Sequence, residues 1–348
     1  MKTSQNSSIC FGEIDRYILF GAGKLLVYVA KKLNQLGHKV LVVTSKRQSN
    51  ENTKIGSKTI SFAEFLEHEK IEYVVVKQLL SNCRVVNFIN QNTLGLSFGA
   101  AWIFKREFIE KFGGKLLNFH GSRLPQDRGG GGFSWRILKG ERIGVSLIHQ
   151  IDEGVDTGRI VFSREYVYPV HCRLPIEYEV YTIEKYKLAF DNFFIKLSNI
   201  DSFTLIQQQE IFSSYWPRLS ANVHGYINWG WDLADIEKFI CAFDDPYPGA
   251  LTYLGENLVR IKDCYSWKGE GNFHPFQKGI IYRKRGGNLF IAAEHGVLIV
   301  GKLLDKKGYN IIDNVNVGDR LHTPTNLTDK AMECRAVYSP DGLKLSKS

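Results

Sequence analysis

The 348-residue chain has no run of 18 consecutive apolar residues, so no transmembrane helix is expected. Its opening stretch, MKTSQNSSICFGEIDRY, lacks the apolar centre of a secretory signal, and a soluble cytoplasmic protein is the expectation. The six cysteines, Cys10, Cys83, Cys172, Cys241, Cys264 and Cys334, form no C-x-x-C pair, and none lies near a histidine at zinc spacing. That pattern excludes a disulfide framework and makes free thiols, with no metal centre, the expectation. No internal repeat or low-complexity segment is present. No basic run is long enough to read as a nucleic-acid arm. A dinucleotide fingerprint is also missing. Gly21-Ala-Gly23 begins one, but Leu26 stands at the third glycine, and Thr44 and Ser45 end the next strand where an acid would be needed. The net charge of +9 fits a protein that handles anions, without choosing among them.

What is present is enough for two domains with real cores: 44% of the residues are apolar. After a polar segment of about 13 residues, expected to fray, Arg16 to Phe20 reads as a strand. LLVYVAKKLNQLG then reads as a helix stopping at Gly37, and HKVLVVT as a second strand. The stretch SKRQSNENTKIGSK reads as a surface loop, and Ser61 to Glu69 as a short helix. Further strands fall at Glu72 to Val76, Leu94 to Gly99, the segment ending at Asn118, and Gly144 to Gln150. This alternation predicts an α/β fold with a mostly parallel sheet flanked by helices, and with ligands at the carboxyl ends of the strands. Tyr178 to Asn199 reads as a long helix whose aromatic stripe packs the core. Beyond residue 225 come one amphipathic helix, Leu233 to Phe243, and short apolar segments at close spacing, a small β-barrel pattern. The expected division is a domain over 1–200, a linker over 201–224, a second domain over 225–330 and a tail over 331–348.

One stretch organises the rest: LLNFHGSRLPQDRGGGGFSW. Leu116 and Leu117 run into it like the end of a buried strand. Asn118 and His120, two apart on an extended segment, point the same way. Pro125 and Gly129 to Gly132 then force a loop with little side-chain bulk. An amide and an imidazole on one face above an open turn make an acyl-transfer site, or a strand-end cap and a locally bonded histidine. Downstream, Ile151-Asp152-Glu153-Gly154-Val155-Asp156-Thr157-Gly158 carries acids in a second tight turn, with Asp156 36 positions after His120.

Asn-x-His-x-Ser-x-Leu-Pro, a glycine turn, and then Asp-x-Gly-x-Asp-Thr-Gly at this spacing resembles the formyltransferases that use N10-formyltetrahydrofolate. Among them the sugar N-formyltransferases are most similar, with methionyl-tRNA formyltransferase close behind. Ile227-Asn228-Trp229 and Pro246-Tyr-Pro-Gly-Ala250 match the second half of the sugar enzymes, so the resemblance runs over roughly residues 15–325. It implies a Rossmann-like catalytic domain and a smaller C-terminal OB-like β-barrel domain. It also implies that the donor, N10-formyltetrahydrofolate, lies against Trp102-Ile103-Phe104 and the loop Asp152, Glu153, Gly154, Val155 to Asp156. In relatives that modify lipid A sugars an arginine follows the first glycine of the loop after the proline; here Gly130 stands there.

Formyl transfer passes through a tetrahedral oxyanion. Asn118 can donate an N–H to it, His120 has the pKa to move the amine proton, and Asp156 can pair with the imidazolium and raise that pKa. The resemblance assigns the same three roles. His149, on an apolar strand, reads as an interior or edge histidine, Glu153 as a loop acid, and Asp152 as bonding its own turn or the pterin. Two acceptors remain open. One is a nucleotide-linked amino sugar for surface polysaccharide, favoured by Gly129 to Gly132, Phe133-Ser-Trp135 and Pro-Tyr-Pro-Gly-Ala. The other is initiator methionyl-tRNA, for which Lys46, Arg47, Lys54 and Lys58 provide basic groups. A folate- or nucleotide-binding module without catalysis would make the three polar residues incidental. A homodimer is left open.

Overall fold

The computed structural model describes residues 7–55, 58–130, 132–199 and 202–347. Gly131 of the glycine run and the expected domain boundary at 200/201 lie outside them.

The first half is built on β1 (Ser7–Ile9), β2 (Arg16–Gly21), α1 (Lys24–Gln35), β3 (Lys39–Thr44), α2 (Phe62–His68), β4 (Tyr73–Val75), β5 (Thr93–Phe98), α3 (Arg106–Glu110) and β6 (Leu116–His120). It continues through β7 (Arg128–Gly129), α4 (Phe133–Lys139), β8 (Ile143–Gln150), β9 (Ile160–Val167) and α5 (Pro175–Asn199). Seven of these strands form one sheet in the order β9-β8-β6-β5-β2-β3-β4. β4, β3, β2, β5 and β6 run parallel, β8 runs antiparallel to β6, and β9 runs antiparallel to β8. Both faces are covered. Along β2, Tyr17 and Leu19 enter the core beneath α1 and α5, while Ile18 and Phe20 enter the opposite core with Phe108 and Phe112. That is why β2 reads as a continuous apolar run rather than an alternating one. The expected helices and strands are therefore largely found. The turn after β2 is tight because Gly21, at φ +117°, lies so close to β5 that a Cβ would meet the Phe98 carbonyl at 2.2 Å. The chain leaves β2 toward β3 on one side and returns to β5 on the other, which opens a crevice at their carboxyl ends.

Three segments expected to be plain are structured. Ser7–Ile9 pairs with β10 (Phe203–Leu205) instead of fraying. The connecting stretch also supplies β11 (Tyr215–Trp216), parallel to β7 of the glycine loop. The polar stretch around residue 50 holds a turn of helix, Lys46–Ser49, and a hairpin pairing Asn52–Ile55 with Lys58–Ser61.

The second half carries α6 (Leu233–Ala242), whose N-terminus is capped by Asp232 accepting from the Ala234 N–H at 2.8 Å. It packs on a six-stranded antiparallel half-barrel of β12 (Ala250–Leu254), β13 (Asn257–Trp267), β14 (Ile281–Arg285), β15 (Asn288–Ala293), β16 (Gly296–Leu304) and β17 (Leu321–His322), in the order β14-β15-β16-β13-β12-β17. The fold is thus α/β with a Rossmann-like sheet, followed by a smaller β domain. α7 (Thr325–Glu333) runs from the expected second domain into the region expected to be a tail, where a hairpin of β18 (Cys334–Ser339) and β19 (Gly342–Lys347) follows. Among the described residues no helix is long and apolar enough to cross a membrane. The described cysteines are all free, with Cys172, Cys241 and Cys264 buried.

Candidate active site

β6 delivers Asn118 and His120 to one face, as their spacing requires. β8 delivers a third polar group. It runs against β6 with His149 directly opposite Asn118, and side chains opposite one another in such a pair share a face. His149 is 2% exposed, so it is the interior histidine its apolar strand implies. It is also in the site. Its Nδ1 lies 2.7 Å from the Gln150 carbonyl, which can only accept, so Nδ1 carries the hydrogen and donates. Nε2 is then a lone pair, 3.1 Å from Asn118 Nδ2, which donates to it. The second hydrogen of that amide points to Asp156 Oδ1 at 3.4 Å. Both neighbours are acceptors, so the nitrogen of Asn118 faces them.

Asp156 reaches the site by a detour. Because β8 is antiparallel, its carboxyl end lies beside Leu116, with the Ile151 N–H on the Leu116 carbonyl at 2.9 Å. The loop must then double back, and Asp156 adopts a left-handed φ of +56° to do so. This conformation is held from behind. Gln208, itself buried, donates to the carbonyls of Asp156 (2.9 Å) and Gly158 (2.7 Å) and accepts from Arg128 Nε (3.1 Å) and Nη2 (2.8 Å). Arg128 in turn holds Glu210 at 2.6 Å. The N–H of Gly129 donates to Asp156 Oδ2 at 2.9 Å. One buried glutamine therefore ties the acid loop to the glycine loop.

His120 has its Nε2 2.9 Å from the Asp127 carbonyl, so Nε2–H donates there and Nδ1 is the free lone pair, 3.7 Å from Asp156 Oδ1. Burial lowers the His120 pKa. The Asp156 charge pulls it up, His149 pushes it down, and burial prevails, so the net direction is below the ordinary imidazole value. A raised value is what an acid at position 156 leads one to expect; the upward pull exists, but desolvation outweighs it. Burial pushes the Asp156 carboxyl up as well, yet the His149 and His120 rings and the Gly129 N–H overcome this and hold it at about 2. At neutral pH the centre holds an ionised Asp156 carboxylate beside a His120 ring whose lowered pKa keeps it neutral. His120, His149 and Asp156 also bring ligand atoms within 4.8 Å of one another, so this trio is where a metal ion could lodge.

Two cavities open here. One, of about 290 Å³, is lined by Trp102, Ile103, Phe104, Asn118, His120, Asp152, Gly154, Val155 and Asp156, together with His149. The sequence-derived residues are thus brought together, except Glu153. That acid turns outward to an exposed ion pair with Arg106 at 2.8 Å. Asp152 bonds its own turn, accepting from the Gly154 N–H at 3.1 Å and from the Thr157 hydroxyl at 2.5 Å. The other cavity, of about 620 Å³, is lined by Arg47, Gln48, Ser122, Trp135, Arg136 and Arg218 among others. The two share His120, Gly99, Gly129, Gly130 and Arg218. Gly130 has no room for a side chain: a Cβ would meet the Arg218 Cγ at 2.5 Å and its backbone N at 2.6 Å. The space an arginine would take at position 130 holds the stem of Arg218 instead.

His149, Gln208 and Arg218 were not legible as site residues. The first needs the antiparallel register, and the other two come from a stretch that reads as a linker.

Comparison with known proteins agrees with this architecture. The formyl transferase family model matches residues 16–170, and the formyl transferase C-terminal domain model matches residues 222–317. A methionyl-tRNA formyltransferase from Syntrophus aciditrophicus is 28% identical over 228 residues, covering 61% of this chain and 66% of its own length. Among solved structures, the sugar 3N-formyl transferase WlaRD, in the presence of dTDP and 5-N-formyl-THF, superposes with a TM-score of 0.61 at 19% identity, over 85% of this chain and 100% of its own. The N-formyltransferase from Helicobacter canadensis, in complex with folinic acid and dTDP-3-aminofucose, gives 0.60 at 18%, over 83% and 99%. These two likenesses concern the fold. With both halves matched by the models in the order found here, the chain belongs to the formyltransferase family.

Proposed function

We propose that this protein transfers a formyl group from N10-formyltetrahydrofolate to the primary amine of a nucleotide-linked amino sugar. The observation that carries the reading is the meeting of two cavities at His120. A two-substrate transfer needs its reactants in separate chambers that share one proton-handling wall. The smaller chamber, walled by Trp102-Ile103-Phe104 and the acid loop, takes the pterin of the donor. The larger has the size of a nucleotide-sugar site, with Trp135 as a flat apolar face and Arg47 and Arg218 as cations on its wall for a diphosphate. Arg218 stands in for the arginine missing at position 130.

The amine nitrogen attacks the formyl carbon, and the carbonyl electron pair moves onto oxygen. His120 accepts the amine proton at Nδ1, where the imidazolium then faces the Asp156 carboxylate. As the oxyanion collapses, the bond from carbon to N10 breaks and N10 takes a proton, leaving tetrahydrofolate and the N-formyl sugar. Asn118 donates to the oxyanion by swinging the hydrogen that points at Asp156, the longer of its two bonds. His149 keeps the amide nitrogen turned to the site.

Incubating the purified protein with N10-formyltetrahydrofolate and a panel of amino-sugar nucleotides, with tetrahydrofolate release as the readout, tests the reading. Release with one or more of them is expected. Release with methionyl-tRNA alone would transfer the assignment to the second reading, which is favoured by the identity to the Syntrophus aciditrophicus protein.

A further inference from the structure

The C-terminal hairpin lies over the smaller cavity. Ala336 is buried and bridges Arg218 in antiparallel fashion, and Ala336 and Val337 both line the chamber that holds Asn118 and Asp156. The hairpin is tied down on either side. Arg47 Nε donates to the Ser339 carbonyl at 3.3 Å, and Arg335 stacks over the Tyr215 ring at 5.3 Å while donating to its hydroxyl at 3.3 Å. Behind it, the Gly130 N–H donates to the Trp216 carbonyl at 2.7 Å, so the glycine loop, the 215–218 segment and β18 are joined in turn by backbone contacts.

Four apolar side chains lining this one cavity are exposed: Ile103, Val155, Tyr215 and Val337. They come from four separate segments. Apolar groups left in water around one mouth mark a surface waiting for an apolar ligand. The cavity, at about 290 Å³, is at the lower limit for a ligand site and holds one end of a folate at most. Whatever continues from the pterin must leave between these side chains.

Resting on the proposed donor, we infer that the C-terminal hairpin is part of the donor site. Val337, with Ile103, Val155 and Tyr215, grips the flat benzoyl portion that joins the pterin to the glutamate, and the hairpin thereby sets specificity for full-length folates over short pterins.

Two ligands test this by titration calorimetry on the full chain: folinic acid as the stable donor analogue, and a reduced pterin lacking the benzoylglutamate. Val337→Asp is expected to weaken folinic acid about tenfold or more and to leave the short pterin unchanged. Val337→Ile should restore wild-type binding. Leu345→Asp, on the hairpin but not lining the cavity, should bind both as wild type does. Equal binding of folinic acid by wild type and Val337→Asp would overturn the hairpin's role while leaving the donor reading intact. Equal weakening of both ligands would show that the hairpin only shapes the pterin pocket, and would overturn the contact. Failure of the wild-type protein to bind folinic acid at all would overturn the donor reading itself.

Discussion

At the scale of single residues the site is a problem of sharing one carboxylate. Asp156 faces His120, His149 and Asn118 at 3.7, 3.6 and 3.4 Å, and its other oxygen holds Gly129. Since its own pKa is about 2, the acid limb of the rate profile belongs to His120 and not to Asp156. The His120 pKa is lowered, so the neutral base prevails at pH 7, and kcat/KM should fall only as pH drops below the ordinary imidazole value of about 6.5. Asp156→Asn removes the upward pull on His120, so its limb should move to still lower pH while turnover drops about 10²–10⁴-fold. His120→Asn should be at least as severe, and the double variant little worse than His120→Asn alone, because groups acting as a unit are not additive. Losses that simply multiply would mean the pair does not work together. Asn118→Ala should cost about 2.7–4 kcal/mol in the barrier without moving the limb. His149→Phe should resemble a weaker Asn118→Ala in kcat, because it frees the amide to turn; kcat equal to wild type would show that the 3.1 Å bond does not orient Asn118. Asn118, His120 and Asp156 were legible because motif and spacing name them. His149 was not, because its apolar neighbours describe a core strand equally well.

At the scale of elements, the site depends on segments that read as connections. The sequence marks β6 by its two leucines and the glycine loop by its composition, and both are found. It cannot show that β8 turns back along β6, since an eight-residue apolar strand has the same pattern in either direction. That reversal forces the acid loop to double back and gives Gln208 its role. Gln208 fills all four of its hydrogen-bonding positions, two of them on the carbonyls that fix the left-handed turn at Asp156. Gln208→Leu keeps the bulk and removes every partner. It should destabilise the fold by about 1–3 kcal/mol for each buried group left unpaired. It should also lower kcat more than it raises either KM, since the cavity walls stay while Asp156 drifts. A variant with lowered Tm but wild-type kcat would make Gln208 a prop of the fold alone.

At the scale of the whole molecule, the α/β sheet and the later β domain follow from the order of apolar segments, which is why both were legible. The closing hairpin was not, because fourteen residues of mixed polarity carry no strong period, and its partners lie far away in sequence at Arg47, Tyr215 and Arg218. The charge is a whole-molecule property too, and it separates the acceptors. A net charge of +9 attracts any polyanion, so binding to tRNA alone would not be diagnostic. The salt dependence is. An RNA acceptor neutralising several phosphates releases as many counterions, so its affinity should fall steeply and linearly on a log–log plot. A sugar nucleotide would bring only the two phosphates of a diphosphate to the larger cavity, and its KM should rise only a few-fold between 50 and 200 mM salt, against about 10³–10⁵-fold for six to ten phosphate contacts. Measuring the acceptor KM across that range, with the donor saturating, distinguishes them. A shallow slope for an amino-sugar nucleotide beside a steep slope and low turnover for methionyl-tRNA is the expected outcome. Fast turnover of methionyl-tRNA with a steep slope, and none of the sugars, would reverse it.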